Sequence, residues 1–358
     1  MVRTTLTAAA LSIMLPAVAG AVEADWSKVA DALGKSGTEM PGGVYRVGLP
    51  RTDLHVKLDG VDIKPTLALG SWLAFKGKGD ATMVMGDLVL TEDEVGPVMK
   101  KLTENGIEIT ALHNHLLRAQ PATLYMHVLG HGDPAKLATA VHDGLALSKT
   151  PIGNATASAN SQAPTPVASS SQAPAAGSEQ PARNGASTAT TSSQAPSARS
   201  EQPARNTPNT VATSSQSPAG GSEEPARLDL DTAMIDRTLG ARGKAVGGVY
   251  QVGVPRAETI HDNGMEVPIA MGSAEAINFQ PTGGGKAAVT GDFVLTAKEV
   301  NPVLHALREN GIEVTAVHNH MLDDEPRLFF MHFWANDDAA KLAKGLRAAL
   351  DQVNVARS

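Results

Sequence analysis

Two stretches of this chain repeat one another at a fixed offset, and that duplication constrains its folding more than any other feature. Gly-Gly-Val-Tyr at 42–45 returns at 247–250, and Gly86-Asp87 returns as Gly291-Asp292. Asn105-Gly106-Ile107-Glu108 returns as Asn310-Gly311-Ile312-Glu313, and His113-Asn114-His115 as His318-Asn319-His320, most of these pairs lying 205 residues apart. One register across all of them means one folding unit present twice. The copies differ widely between the matches, so the shared residues are the informative ones.

From 151 to 227 the chain is built of Ser, Ala, Pro, Gln, Gly and Thr, with a phrase that recurs around Gln172, Gln194 and Gln216. So few large apolar residues cannot offset the entropy of ordering the backbone, and the stretch reads as a disordered linker. Residues 1–21 carry Arg3, an apolar run from Leu6 to Val18, and small residues at Ala17, Ala19, Gly20 and Ala21, the layout of a cleaved secretory signal. The expected organisation is a signal peptide at 1–21, a first unit at 22–150, the linker at 151–227 and a second unit at 228–358.

Export across the inner membrane to the periplasm follows from that leader. No later stretch is apolar for long enough to span a bilayer, so no integral membrane segment is expected after cleavage. Cysteine is absent, which rules out disulfides, thiolate metal sites and a lipid-modified cysteine. A net charge of −7 without a basic run argues against nucleic acid as a partner.

Within the first unit, Val44 to Leu49 and Thr82 to Leu90 read as strands. Thr91 with Glu94, and Thr296 with Glu299, form capping boxes that open a helix, which Asn105-Gly106 ends; Pro97 and Pro302 are expected to kink it. A strand from Ile107 to Leu116, a turn near Pro121 and a return strand from Thr123 to Leu129 follow. Asp133-Pro134 caps a last helix with Leu137, Val141 and Leu145 on its apolar face, matched by Leu342, Leu346 and Leu350. The fold class is α+β: two homologous units, each a mostly antiparallel sheet with helices on one face in ferredoxin-like order.

Residues two apart on a strand share a face, so His113 and His115 project together. A hairpin centred near Gln120 sets His127 opposite His113 and Tyr125 opposite His115, with His131 near the far end. The second copy presents His318, His320 and His332, with Phe330 for the tyrosine and Asn336 for His131. Three imidazoles from adjacent strands suit a divalent metal, zinc or copper first, with a position open to water or substrate. The competing reading is a polar sheet face or a hydrogen-bonded pair that fixes the hairpin.

Other features carry less. The spacing His318-X-His320-X4-Glu325 with His332 echoes cupins but leaves too few residues for the intervening strands of such a barrel. His-Asn-His lacks the context of the nuclease motif of that name, and Gly283-Gly284-Gly285-Lys286 is an incomplete phosphate loop better read as a hairpin turn. Met126 and Met331 fall on the face opposite the histidines. Asp87 and Asp292 are candidates either for carboxylates behind metal ligands or for a turn or cap near a strand end. Glu108 and Glu313 lie on the non-histidine face.

The phrases at 45–51, 85–90, 104–115 and 329–338 resemble the LppY/LpqO family of uncharacterised bacterial domains, across both flanks and not the linker. The resemblance implies no assigned reaction. The family takes its name from lipoproteins, and the lack of cysteine here departs from that pattern. The association of some relatives with chromate-resistance gene neighbourhoods tilts the reading towards metal.

Three functions are therefore in play. The first is a periplasmic protein of unknown activity that binds a divalent metal through a three-histidine cluster in each unit. The second is a metal-dependent hydrolase acting on an envelope or small-molecule substrate, for which the sequence names no general base. The third is a structural or interaction module in which the two units pair by packing their histidine faces.

Overall fold

In the computed structural model of the protein, residues 25–153 and 228–356 are described. The leader expected at 1–21 and the linker from 154 to 227 lie outside the described residues. Asp25 opens helix α1 (Trp26–Leu33) by accepting a hydrogen bond from the Ser27 backbone N–H, and Gly34 ends it in the left-handed conformation. Next come strands β1 (Thr38–Met40), β2 (Val44–Pro50), β3 (Val56–Leu58) and β4 (Val61–Ile63), the one-turn helix α2 (Pro65–Ala68), and strands β5 (Gly70–Lys76) and β6 (Thr82–Leu90). Helix α3 (Glu92–Glu104), strands β7 (Glu108–His113) and β8 (Leu124–Gly132) and helix α4 (Pro134–Leu145) complete the first half.

The second half runs α5 (Thr232–Leu239), β9 (Lys244–Val246), β10 (Val249–Pro255), β11 (His261–Asp262), β12 (Met265–Glu266), β13 (Ala274–Gly283) and β14 (Lys286–Thr296). It ends with α6 (Val300–Glu309), β15 (Glu313–His318), β16 (Asp324–Glu325), β17 (Leu328–Asp338) and α7 (Ala339–Leu350). Each half holds a six-stranded antiparallel sheet, in the order β1-β2-β5-β6-β8-β7 and, equivalently, β9-β10-β13-β14-β17-β15.

One face of each sheet packs on its own helices. Val29 and Leu33, Val98 and Leu102, and Leu137, Val141 and Leu145 share a core with Val47, Leu73, Phe75, Val84 and Leu88. Leu342, Leu346 and Leu350 do the same in the second half. The other two faces meet. Val44, Ala74, Met85 and Leu129 form a core with Met271, Val294 and Phe330, while Val89 and Tyr125 pack with Val249, Ala288 and Trp334. The layers therefore run helices, sheet, sheet, helices, and β6 is buried on both faces along its whole length. Polar ties cross the joint: Arg118 pairs with Glu313 at 2.7 Å, Trp334 Nε1–H donates to Asp59, and Gln280 Nε2–H donates to the Asp62 carbonyl.

The α+β class, the antiparallel sheets and the helices on one face are as expected, with more strands than the sequence suggested. The caps also hold: the Thr91 N–H donates to Glu94 at 2.9 Å, and Asp133 accepts from the Lys136 N–H at 2.9 Å. In the second half the Thr296 N–H still donates to Glu299, but a turn intervenes and α6 starts only at Val300. Pro302 is thus its third residue, where a backbone N–H would have no partner inside the helix, so the proline there loses no hydrogen bond. The kink expected at Pro302 does not apply.

Candidate metal centre

Strand β8 lies between β6 and β7, so its inner face is framed on both sides. His127 stands opposite Asp87 on β6 and opposite Ala111 on β7, while His113, the last residue of β7, pairs with Tyr125. The expected pairing of His127 with His113 is therefore displaced by two residues. The displacement arises in the connection, which is no simple hairpin: Gln120 exchanges backbone hydrogen bonds with Lys57 of β3, while a bulge between Ile109 and Ala111 shifts only the pairs beyond it. His115 has left the strand. Its ring nevertheless returns to the same face and stacks on Tyr125 at 3.5 Å. His332, Asp292, His318 and His320 repeat the arrangement, with His320 stacked on Phe330 at 3.5 Å.

The two histidine faces converge. His113 stacks on His318 at 3.4 Å between ring centroids, His115 on His332 at 3.5 Å, and His127 on His320 at 3.7 Å. These contacts map onto one another when the halves are exchanged, so a pseudo-twofold axis passes by the His113–His318 pair. A separate trio in each unit gives way to one centre of six imidazoles. Four ligand groups close to within 4.8 Å: His113, His115, His318 and His332; His113, His127 and His320; Asp87, His115 and His127; and Asp292, His320 and His332. Both groups made of histidine alone draw on both halves. His131 and Asn336, at the far end of the face, are exposed and take no part.

Asp87 and Asp292 lie within β6 and β14, inside the centre, and the turn or cap role considered for them does not hold. His127 Nε2 lies 3.8 Å from Asp87, and His332 Nε2 lies 3.6 Å from Asp292. Strand parity would have placed both carboxylates on the histidine face had the adjacency of β6 to β8 been known. The matched glycine before each aspartate has its own reason: a Cβ on Gly291 would lie 1.8 Å from the Ala276 carbonyl oxygen of the neighbouring strand. Met126 and Met331 are core residues on the helix side, as parity required.

Burial sets the electrostatics. It pushes the His113 imidazole down to about 3, with help from His318, and His318 down to about 4. The other four are lowered well below their usual value, again chiefly by burial. Burial raises Asp87 to about 8 against the pull of Arg46, and raises Asp292 well above its ordinary range with Asp87 adding to the shift. At neutral pH the imidazoles are neutral and carry a lone pair each. His332 Nδ1 lies 2.9 Å from the Gly291 carbonyl and His318 Nδ1 3.1 Å from that of Asn319. A carbonyl only accepts, so Nδ1 carries the proton and Nε2 is the free donor atom in both.

Nε2 of all six histidines, Nδ1 of His113, and one oxygen each of Asp87 and Asp292 are buried without a hydrogen-bond partner. A narrow cleft of about 10 Å³, room for about one water molecule, lined by Trp72, Met85, Met271, Met321 and Phe330 among others, reaches His127 and His320. Among the described residues no helix is long and apolar enough to cross a membrane.

Comparison with known proteins adds a family without an activity. The profile described as Domain of Unknown Function (DUF1259) matches residues 27–147 and 233–352, once in each half. No curated protein matches the sequence. Among solved structures, a trimeric bacterial microcompartment shell protein, PduB, aligns over 88% of this chain and 89% of its own at 10% identity, with a TM-score of 0.17, too low to indicate a shared fold.

Proposed function

We propose, for a chain that belongs through both of its halves to the family described as Domain of Unknown Function (DUF1259), that it binds a divalent transition metal at the centre its two halves build together. The observation that carries this reading is the set of unpartnered donors. Each buried polar atom without a hydrogen bond costs about 1–3 kcal/mol, and here they cluster in groups whose ligand atoms lie within 4.8 Å of one another. A metal ion relieves that cost. Packing between the halves would be served better by apolar side chains, which is the argument against a purely structural role.

Neutral imidazole suits zinc, copper, nickel and iron. The thioethers of Met85, Met271 and Met321 along the cleft keep copper beside zinc as the first ions to test. The test is metal analysis of the chain purified without a histidine tag, followed by titration with zinc and copper after chelation. Stoichiometric binding that is reduced in His127→Ala with His320→Ala supports the reading; the absence of tight binding by the folded protein ends it.

A metal-dependent hydrolase is the second reading, favoured by two carboxylates inside the centre and a cleft that reaches it. That cleft has room for about one water molecule, so a substrate could enter only if the lining side chains moved. A periplasmic location is proposed from the leader at 1–21. Cell fractionation with and without that segment tests it.

A further inference from the structure

We infer that the centre is built for two metal ions, with Asp87 and Asp292 lying between them, an inference that rests on the metal-binding reading above. The reasoning is a count of donors. Nine buried side-chain atoms in this one place lack a partner, both ring nitrogens of His113, Nε2 of the other five histidines, and one oxygen each of Asp87 and Asp292; a neutral imidazole offers one lone pair, so eight of them can ligate at once. A single tetrahedral ion takes about four ligands and would leave most of them unpartnered. Even an octahedral ion would strand several. Two ions of four or five ligands each take up nearly all.

The grouping of the residues points the same way. His127 and His320 close with His113, whereas His115 and His332 close with both His113 and His318. Giving His113 to the first pair leaves His318 for the second. The resulting trios, His113-His127-His320 and His318-His332-His115, are exchanged by the pseudo-twofold that relates the halves, so the partition respects the symmetry of the chain.

Each carboxylate then spans the two trios. Asp87 lies within ligand distance of His127 in one trio and His115 in the other, and Asp292 reaches His320 in one and His332 in the other. Two carboxylates placed to bridge, with three imidazoles at each end, form a donor set for a pair of borderline divalent ions such as zinc, cobalt or copper. Two such ions against two carboxylates leave a net charge of +2. A hydroxide or small oxyanion is the class of ligand that would complete the centre. The cleft beside His127 and His320 gives a water-sized ligand such as hydroxide a way in.

The experiment uses the full chain without a tag, stripped with chelator and reloaded separately with zinc and with copper(II). Native mass spectrometry and elemental analysis should find two ions per chain, and the copper form should show the half-field resonance of two coupled spins. One ion per chain would overturn the inference and leave metal binding standing; none would overturn both. His127→Ala with His320→Ala, and His115→Ala with His332→Ala, should each reduce two equivalents to one. Circular dichroism establishes that each variant is folded. Retention of two ions by either folded variant, or loss of both ions from it, would refute the partition into trios.

Discussion

Replacing the central pair, His113→Leu together with His318→Leu, separates a ligand site from a packed core because the two predict opposite signs. The pair contributes three of the nine unpartnered atoms, both nitrogens of His113 and Nε2 of His318. At about 1–3 kcal/mol each, their removal relieves roughly 3–9 kcal/mol in the metal-free protein. Refitting two leucines where the rings stack at 3.4 Å costs about 1–3 kcal/mol per site. The balance favours the variant by a few kcal/mol. At about 2–4 °C per kcal/mol for a folded region of this size, its melting temperature in chelator should rise by on the order of 5 °C. Calorimetry in chelator and again in saturating zinc is the assay. The wild type should gain about 2.7 kcal/mol when free zinc is a hundredfold above its dissociation constant, and the variant much less. A variant destabilised in chelator by 2 kcal/mol or more would refute the reasoning and establish the histidine faces as a packed structural core.

The metal-free protein should also show a pH signature. The six imidazoles have folded values below the unfolded one, so their contribution is fully present above about pH 6.5 and is lost as the pH falls towards 4 and 3. Asp87, raised to about 8, acts in the opposite sense, its contribution fading as the pH rises from about 4 through 8. Six groups against the two aspartates place the centre's optimum near pH 6.5–7, so urea midpoints in chelator should fall more steeply towards pH 5 than towards pH 8.5. Glu94→Ala removes a partner of the fully buried Arg51, which also holds Asp53 and the Val89 carbonyl, and should cost about 3–5 kcal/mol in urea unfolding. Tyr125→Phe copies the second half's Phe330 and deletes a 2.8 Å hydrogen bond to the Ala68 carbonyl. It should cost about 0.5–1.5 kcal/mol and leave metal stoichiometry unchanged.

Local signals in the sequence were legible where local chemistry decides. Thr91 with Glu94, Asp133 with Pro134, and the leucines of α4 and α7 lie where capping and helical periodicity place them. Strand parity expected His113, His115 and His127, with His318, His320 and His332, on one face, and their rings do meet there, although His115 arrives from beyond the end of β7. It failed at the register, because the pairing of Gln120 with Lys57, which shapes the connection between β7 and β8, depends on tertiary contacts. The joining of the two histidine faces left one readable trace. Residues 82–90 are largely apolar at odd and even positions alike, and a strand with one face in water has no reason to be. That second apolar set, Met83, Met85 and Val89, is what meets the other half. Asp87 interrupts it, and an isolated acid in such a run is itself the mark of a buried site.

His113 and His318 occupy the same position in their respective halves and touch one another. A lone half would therefore carry only one member of that pair and one trio's worth of imidazoles, and could complete the centre only through an isologous contact with a second copy of itself. Such an assembly would come apart on dilution, and its ligands with it. In this chain both partners belong to one polypeptide, so assembly of the centre is unimolecular and independent of protein concentration. A centre shared by the two halves of one chain stays whole however dilute the protein.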